Sequence, residues 1–359
     1  MAEAVRERVT MKTMDQVDLV RHHYNRRALW GTDSVLYRRE HPMLWKSARG
    51  NYQNWEVDTN RIVPSDTDLS DGEPTRLFYS DDLTLWLSRR RQSMPYFARN
   101  CNADELHLIS RGAMTYETDF GTVEVKERDF LVIPKGITYR VLVDGPQDTL
   151  RMIYESRPEI FLVPTEMVDH VYGKGRPAVD PARVQAPRLA EGPPPQGPFA
   201  VRVKYEGAFS DFLGETSTLV YDFYPLDTEI VDGEQHVFKF SATDIEKLGT
   251  TPVPFLGGAY LDNRTNLAWT LHVTGGGGRA PVHRNVDVDE LRYHSSGPMM
   301  GHIEFTPQGV DHGAGRGYTR IERNRAEGPY DVGDVFSIYT FKPLKGTAEA
   351  YRCAVPCVC

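Results

Sequence analysis

Two stretches of this chain repeat each other without a gap, and the repeat limits the folds that the chain can adopt. Residues 98–112 read ARNCNADELHLISRG and residues 283–297 read HRNVDVDELRYHSSG. A second pair follows in the same order, with RDFLVIPKGITYR at 128–140 and GHIEFTPQGVDHG at 301–313. The duplication predicts two similar domains, a number that 359 residues can supply.

The two copies differ at the positions that matter for chemistry. His283 and His312 of the later copy stand where the earlier copy has Ala98 and Tyr139. Glu290 of the later copy aligns with Glu105 of the earlier one. Imidazoles and carboxylates are common metal ligands, so the comparison predicts one metal site in the later half and none in the earlier half.

Short β-type runs dominate both halves and predict an all-β fold. Runs such as LTLWLSRR, LRMIYES, TSTLVYDFYP and VFSIYTF alternate with turns rich in Asp, Gly and Pro. The pattern favours two jelly-roll, or double-stranded β-helix, barrels with few short helices. The expected domains are an N-terminal barrel over 1–170, a Pro/Gly-rich linker over 171–198 and a C-terminal barrel over 199–359.

The first 60 residues are interpreted as a segment that covers the first barrel. Within it, 14–26 is expected to form a helix, and a second helix is expected at 243–248, where Thr243 and Glu246 have the spacing of a capping box. The ending CAVPCVC is interpreted as a terminal strand, in preference to a metal-binding tail.

Composition excludes several classes of function. The formal net charge of −8 gives no field to hold nucleic acid. No stretch of 18 apolar residues predicts a membrane span, and the N-terminus lacks the apolar region of a signal peptide. Four cysteines are too few for a disulfide scaffold of this size. We therefore expect a cytoplasmic protein that acts on small molecules.

The first of the repeated stretches resembles the first cupin motif, G-x5-H-x-H-x3,4-E-x6-G. Gly277, His283, Glu290 and Gly297 match it, and Asn285 replaces the second histidine. The resemblance implies a barrel whose mouth holds a metal ion on a histidine and a glutamate. It also fits the duplication, since bicupins carry two such barrels in one chain.

The second repeated stretch resembles the second cupin motif, G-x5-P-x-G-x2-H-x3-N. Gly301, Pro307, Gly309 and His312 match that spacing, and Arg316 replaces the final Asn. Together the motifs imply a ligand set of His283, Glu290 and His312. Two imidazoles and one carboxylate leave coordination positions open, as in the iron(II) facial triad, while the same donors also suit Mn, Ni or Zn.

The chain further resembles the bicupin homogentisate 1,2-dioxygenases and their bacterial relatives. The resemblance runs from about residue 96 to 313 and rests on FARNCNADEL, DFLVIPKGITYR, the HRN at 283–285 and the TPQG at 306–309. His302 matches a histidine five residues before the proline, which the resemblance makes a candidate base. Gln308 stands where those enzymes have a ligand directly after the proline.

Several further residues are candidates for the site. His294 and Tyr293 lie just beyond Glu290 and could accept a proton from a phenolic substrate, although an ordinary strand face is an equally good interpretation. The candidates for contacts around the ligands or with a substrate carboxylate are Arg292, Gln308, Asp311 and Arg316.

The resemblance implies an iron(II) dioxygenase that uses O2 to cleave the ring of a small dihydroxy- or aminohydroxy-aromatic substrate. Two alternatives stay open at this point. One is a metal-dependent isomerase, decarboxylase or hydrolase acting on a small molecule. The other is a bicupin that binds a small ligand without catalysis. Association into a homo-oligomer is also expected from the resemblance.

Overall fold

The structure is a computed structural model, and it describes residues 19–27, 30–145, 147–162, 179, 181–234, 236–244, 247–250, 253–262, 266–273, 282–313 and 333–356. The all-β class with two barrels is confirmed, because strands make up nearly all of the regular structure.

The strands that the structure describes are, in chain order, β1 (Val20–Arg27), β2 (Trp30–Arg38), β3 (Trp55–Asp58), β4 (Thr75–Tyr79), β5 (Leu83–Ser88), β6 (Phe97–Asn100), β7 (Asp104–Arg111), β8 (Met114–Thr118), β9 (Gly121–Val125), β10 (Asp129–Ile133), β11 (Thr138–Leu142), β12 (Leu150–Ser156), β13 (Ile160–Leu162), β14 (Phe199–Lys204), β15 (Thr216–Tyr221), β16 (Phe238–Ser241), β17 (Lys247–Thr250), β18 (Val253–Asp262), β19 (Asn266–Val273), β20 (Val282–Asn285), β21 (Asp289–His294), β22 (His302–Thr306), β23 (Asp311–His312), β24 (Gly333–Thr340), β25 (Lys345–Gly346) and β26 (Ala354–Pro356).

Helices are few and short in this part of the chain. The α-helices are α1 (Ser210–Leu213) and α2 (Ala348–Arg352), and the 3-10 helices are Thr59–Arg61, Ser65–Thr67, Pro181–Arg183 and Ala242–Asp244. The helix expected over 14–26 is wrong for its described part, which forms β1 and hydrogen-bonds to two other strands. The helix expected at 243–248 is wrong at its end, because Lys247 begins β17; residues 245 and 246 lie outside the described residues.

The first barrel is a sandwich of two sheets with an apolar interior. One sheet has the order β16-β10-β7-β12-β5-β4-β25, and the other has the order β15-β14-β6-β11-β8-β9. Alternation along β7 turns Ile109 inward, where it packs against Tyr116 and Val141 of the facing sheet. All three side chains are fully buried. Burial of side chains of this size contributes about 2 kcal/mol each.

The second barrel repeats this design. Its sheets have the orders β13-β18-β19-β24-β21-β22-β3-β26, with β17 on β18, and β2-β1-β20-β23. The strands β20, β21, β23 and β24 occupy the places of β6, β7, β11 and β12. In both barrels a hairpin from outside the motif segment joins the motif strand in parallel: β14, later in the chain, pairs with β6, and β1, earlier in the chain, pairs with β20.

This pairing departs from the predicted domain boundaries. Within the first 60 residues, the strands that the structure describes join the second barrel instead of covering the first, because β1 pairs with β20 and β3 pairs with β22. Conversely, β14 and β16, which follow the predicted linker, pair with β6 and β10 of the first barrel. Each barrel is therefore completed by strands from the other side of the linker: the first barrel by strands that follow the linker, and the second by strands from the N-terminal part of the chain.

The two barrels pack back to back through the outer faces of their larger sheets. Leu108 and Phe130 of the first barrel share one apolar cluster with Leu291 and Phe336 of the second. Polar contacts cross at the edge of this core, where Arg128 donates to both carboxylate oxygens of Asp334 at 2.6 and 3.0 Å. A shared core of this kind predicts that the barrels stabilise each other.

The described part of the linker and the C-terminal segment tie the strands together. Arg188 forms an isolated bridge with Thr122, and its carbonyl lies so close to Gly121 that a Cβ there would be 2.3 Å from the oxygen. Near the C-terminus, β25 adds to the first barrel and β26 adds to the second. The terminal strand expected within CAVPCVC is present as β26, and residues 357–359 lie outside the described residues.

Candidate metal centre

The three predicted ligands meet inside the second barrel, although they come from both of its sheets. His283 on β20 and His312 on β23 are register partners in the smaller sheet. Glu290 lies on β21 of the larger sheet and faces them. The connections at 286–288 and 307–310 carry the chain from one sheet to the other, from β20 to β21 and from β22 to β23, at the spacing of the sequence motifs.

The geometry brings one donor atom of each ligand within 4.8 Å of the other two. His312 Nε2 is 2.6 Å from Glu290 Oε2, and His283 Nε2 is 3.9 Å from the same oxygen. The two imidazole rings have their centroids 4.0 Å apart. All three side chains are buried, so their donor atoms point to one small volume that is shielded from bulk water.

Electrostatics favour an ionised glutamate at this point. Burial would raise the pKa of Glu290, but His312 and His283 outweigh that effect and hold its pKa well below the usual range. A buried carboxylate with two imidazoles is a group of donors that divalent metals bind well.

Neighbouring groups hold the ligands in place. Asn285 Nδ2 donates to Glu290 Oε2 at 2.8 Å, and the Tyr339 hydroxyl donates to Glu290 Oε1 at 3.3 Å. His312 Nδ1 lies 3.1 Å from the carbonyl of Val310, which suits a donated hydrogen bond and leaves Nε2 as the free ligand atom. The donor set and its supports fit a resident metal ion.

Strand β1 brings two further residues to the same face. His23 is the register partner of His283, and Asn25 is the register partner of Asn285. Partners in neighbouring strands project to the same side of the sheet, so both residues border the ligand cluster. Asn25 is 2% exposed, and its Nδ2 has no hydrogen-bond partner among the described residues; the same holds for Oδ1 of Asn285.

The predicted bases His294 and His302 lie at a different level of the barrel. His294 is four residues beyond Glu290 on β21, which places it about 13 Å farther along the strand. His302 is four residues before Thr306, the register partner of Glu290, so it is displaced by a similar distance. His302 contacts Glu56 at 2.7 Å. Neither ring is brought next to the three ligands.

Tyr293 faces away from the cluster. Strand alternation turns it toward the other barrel, where its hydroxyl lies 2.7 Å from Ser110 Oγ. It is fully buried, and burial, only partly opposed by the hydrogen bond to Ser110, raises its pKa to about 12. A hydroxyl so placed is a contact between barrels, and this geometry gives no support to the role of base predicted for it.

Arg292 projects into the barrel between Glu290 and His294. It forms an ion pair with Glu304. Burial would raise the pKa of Glu304, but Arg292 and His294 lower it to about 2. Arg292 is thus engaged with a carboxylate of the protein, and Glu304 takes the place that a substrate carboxylate was expected to fill.

The other predicted neighbours shape the turns around the ligands. The Gln308 backbone N–H donates to Asp289 Oδ1 at 2.7 Å, while its side-chain amide donates to the Val286 carbonyl at 2.5 Å. Asp311 pairs with Arg284 through two hydrogen bonds of 2.8 and 2.6 Å. Arg316 lies outside the described residues.

Asp311 also links β23 to the N-terminal hairpin. His22 Nε2 is 2.9 Å from Asp311 Oδ1, and Arg38 donates to His22 Nδ1 at 2.8 Å. Burial would raise the pKa of Asp311, but His22 and Arg284 lower it to about 2. This network fixes the strand that carries His312.

Sequence reasoning missed His23, Asn25 and Tyr339. The first two belong to β1, which pairs with β20 although the two strands lie far apart in the sequence, and no local sequence pattern predicts that pairing. Tyr339 had a signal in the repeat, since it is the register partner of Glu290 just as Glu155 is the register partner of Glu105. Alignment of the strands after the second motif would have found it.

No protein-family model matches this chain. A curated protein of Saccharolobus solfataricus, named "Putative dioxygenase SSO1533", is 23% identical over 283 residues. The match covers 71% of this chain and 65% of that protein, so the chain spans just under two thirds of its relative.

Similar solved structures have low sequence identity. Protein Ylba from E. coli is 10% identical with a TM-score of 0.42, over 83% of this chain and 95% of that one. Oxalate decarboxylase from Bacillus subtilis is 12% identical with a TM-score of 0.41, over 84% and 80%. A cupin 2 conserved barrel domain protein from Leptotrichia buccalis is 9% identical with a TM-score of 0.40, over 79% and 95%.

Among the described residues, neither α-helix has the length and apolar character needed to cross a membrane.

Proposed function

We propose that the second barrel binds one iron(II) ion and that the protein is a dioxygenase acting on a small hydroxylated aromatic compound. The observation that carries the proposal is the convergence of His283, Glu290 and His312 on one buried point. The likeness to a protein named as a dioxygenase, over most of this chain, supports the oxygen chemistry. We further propose that the reaction cleaves the aromatic ring and that the substrate is similar to homogentisate.

The three ligands suit iron(II), and Mn, Ni or Zn are the other ions that the donor set accepts. When bound, iron(II) supplies a site at which a phenolic substrate and O2 meet. The chain's own contribution is to present Glu290 ionised, held by Asn285 and Tyr339, and to keep Nε2 of His312 free by engaging its other nitrogen.

The unpartnered polar atoms beside the ligands support a hydroxylated substrate. Asn25 Nδ2 is a buried donor and Asn285 Oδ1 is a buried acceptor, at register-paired positions of β1 and β20. Buried polar atoms need partners, and a hydroxyl group can donate to one and accept from the other. A substrate hydroxyl placed there would lie next to the ligand cluster and be oriented by both amides.

The test is an oxygen-uptake assay on protein loaded anaerobically with iron(II). We expect uptake with at least one member of a panel of hydroquinones, catechols and aminophenols, together with loss of the aromatic absorbance. His283→Ala is expected to remove both metal binding and uptake. Tyr139→Phe, the matched change in the first barrel, is expected to leave the metal content unchanged.

Two results would decide against this function. If fully loaded protein consumes no oxygen with any member of the panel, the site serves another metal-dependent reaction, such as an isomerisation, decarboxylation or hydrolysis. If the protein binds no divalent metal, the chain is a binding protein. We further propose that the protein is cytoplasmic and that it forms a homo-oligomer. Measurement of its mass in solution tests the oligomer.

A further inference from the structure

The first barrel contains a cavity of about 360 Å³ at the place that corresponds to the metal centre of the second. Ala98 and Tyr139, the counterparts of two metal ligands, line it together with Glu105. Strand β14 contributes Arg202 and Lys204 to its wall, in the register positions that His23 and Asn25 occupy in the second barrel. A volume of this size is within the range of small-molecule sites.

Hydrogen bonds replace the metal in this barrel. Glu105 accepts from Asn100 at 2.9 Å, from Tyr139 at 2.7 Å and from His107 at 2.8 Å. The Glu105 carboxylate can only accept, which assigns the proton of His107 to Nε2; the Tyr116 hydroxyl lies 3.0 Å from His107 Nδ1 and donates to it. Since Glu105 already receives three donors, its charge is satisfied by the protein.

The second carboxylate of the cavity is also satisfied. Glu155 accepts from Lys204 at 2.8 Å through both oxygens, and from Asn100 at 2.9 Å. The carboxylates on this part of the wall therefore place no unpaired negative charge toward a ligand.

One positive charge of the wall is less well matched. Arg151 is 3% exposed, and its guanidinium donates to the hydroxyl groups of Tyr116 and Ser88; Ser88 in turn donates to Asp66 at 2.6 Å. Within the described part of the chain, no carboxylate lies within 4.0 Å of this guanidinium. Arg99 projects to the opposite face of β6 from Ala98 and Asn100, where it donates twice to the Thr138 hydroxyl. The buried Nε of Arg151 also has no hydrogen-bond partner among these residues.

A buried guanidinium N–H without a partner is costly, and a carboxylate is the group that matches the planar donors of an arginine best. The rest of the wall is partly apolar and aromatic, with Trp86, Tyr96, Met94 and Ile153. Such a surface suits a flat ring. We propose that the first barrel is a metal-independent binding site for a small aromatic carboxylate, whose carboxylate group pairs with Arg151.

Calorimetry on the full chain stripped of metal tests this site, with benzoate as the probe and benzamide as its uncharged isostere. We expect one benzoate per chain and at least tenfold weaker binding of benzamide. Arg151→Met is expected to weaken benzoate binding at least tenfold, and Ala98→Leu, which fills the cavity, is expected to abolish it. Arg99→Gln, on the opposite face of β6, should leave the benzoate affinity within twofold of the wild type.

Two controls locate the ligand. Arg111→Gln removes a partly exposed arginine that lies outside the cavity wall, and it should leave the benzoate affinity within twofold of the wild type. His283→Ala should do the same, because it changes only the second barrel. The proposal is overturned if neither benzoate nor phenylacetate binds, if benzamide binds as tightly as benzoate, or if His283→Ala alone removes the binding.

Discussion

At the scale of single residues, the two barrels use one position for different purposes. Glu290 meets two imidazoles, whereas Glu105 meets Asn100, Tyr139 and His107. Burial would raise the pKa of Glu105, but His107, Tyr139 and Asn100 lower it to about 2. The same carboxylate can thus serve as a metal ligand or as the centre of a hydrogen-bond network.

The depressed pKa of Glu105 predicts acid-dependent stability. A carboxyl whose folded pKa is about 2 and whose ordinary value is 4.5 stabilises the fold on the order of 3 kcal/mol above pH 4.5. That contribution is lost as the pH falls from 4.5 toward 2. We expect Glu105→Gln to lower the urea midpoint at pH 7 and to lose most of this effect at pH 2.5, while the exposed control Glu124→Gln shows no change. An equal loss for Glu105→Gln at both pH values would contradict this assignment.

Tyr339 offers a second prediction at this scale. Its hydroxyl contacts Glu290 and is one of the groups that orient the carboxylate. Loss of such an outer contact commonly weakens metal binding 10- to 100-fold. We therefore expect Tyr339→Phe to weaken binding of Fe(II) or Mn(II) about tenfold in a chelator competition assay. Tyr351→Phe, at an exposed tyrosine, is the control; an unchanged affinity for Tyr339→Phe would remove Tyr339 from the site.

At the scale of elements, the sequence predicted what local spacing determines. The strand type follows from alternation, and His283, Glu290 and His312 follow from two motifs whose residues are close in the chain. The roles of His294 and His302 could not be judged in the same way. Period two puts His294 on the correct face of β21, but only the strand rise shows that it lies about 13 Å from Glu290.

Strand exchange was beyond local reasoning. The parallel pairing between β1 and β20 brings together segments that are far apart in the sequence. The residues 20–27 alone do not predict which barrel this strand belongs to. The apparent helical pattern at 14–26 was overridden because this segment gains hydrogen bonds from β2 and β20. His23 and Asn25 were missed for the same reason.

The position of β1 leads to a prediction for the element as a whole. A chain that begins at Arg39 lacks β1 and β2, so β20 loses its parallel neighbour and the face that bears His283 is opened. We expect at least tenfold weaker metal binding, with amide exchange protection retained in β7 and β12 of the first barrel. Unchanged metal binding would show that β1 contributes nothing to the site.

At the scale of the whole molecule, the shared core between the barrels couples their stabilities. Phe336 of the second barrel is 1% exposed and packs against Phe130 and Tyr154 of the first. Phe336→Ala is expected to cost about 3–5 kcal/mol through lost burial and a cavity. Hydrogen exchange should then rise in β10 and β12 as well as in β24.

The control for this change is Phe212→Ala, at a side chain that is 84% exposed, and it should leave exchange unaltered in both barrels. Faster exchange that is confined to the second barrel in Phe336→Ala would mean that the barrels are independent.

The central claim is that one metal ion is held in the second barrel by His283, Glu290 and His312. Its most direct test is anomalous diffraction at the iron edge from crystals of the iron(II)-loaded protein. The account predicts one strong peak per chain, within bonding distance of His283 Nε2, His312 Nε2 and a carboxylate oxygen of Glu290, and no peak in the first barrel. A peak beside Glu105, or none among the three ligands, would contradict it.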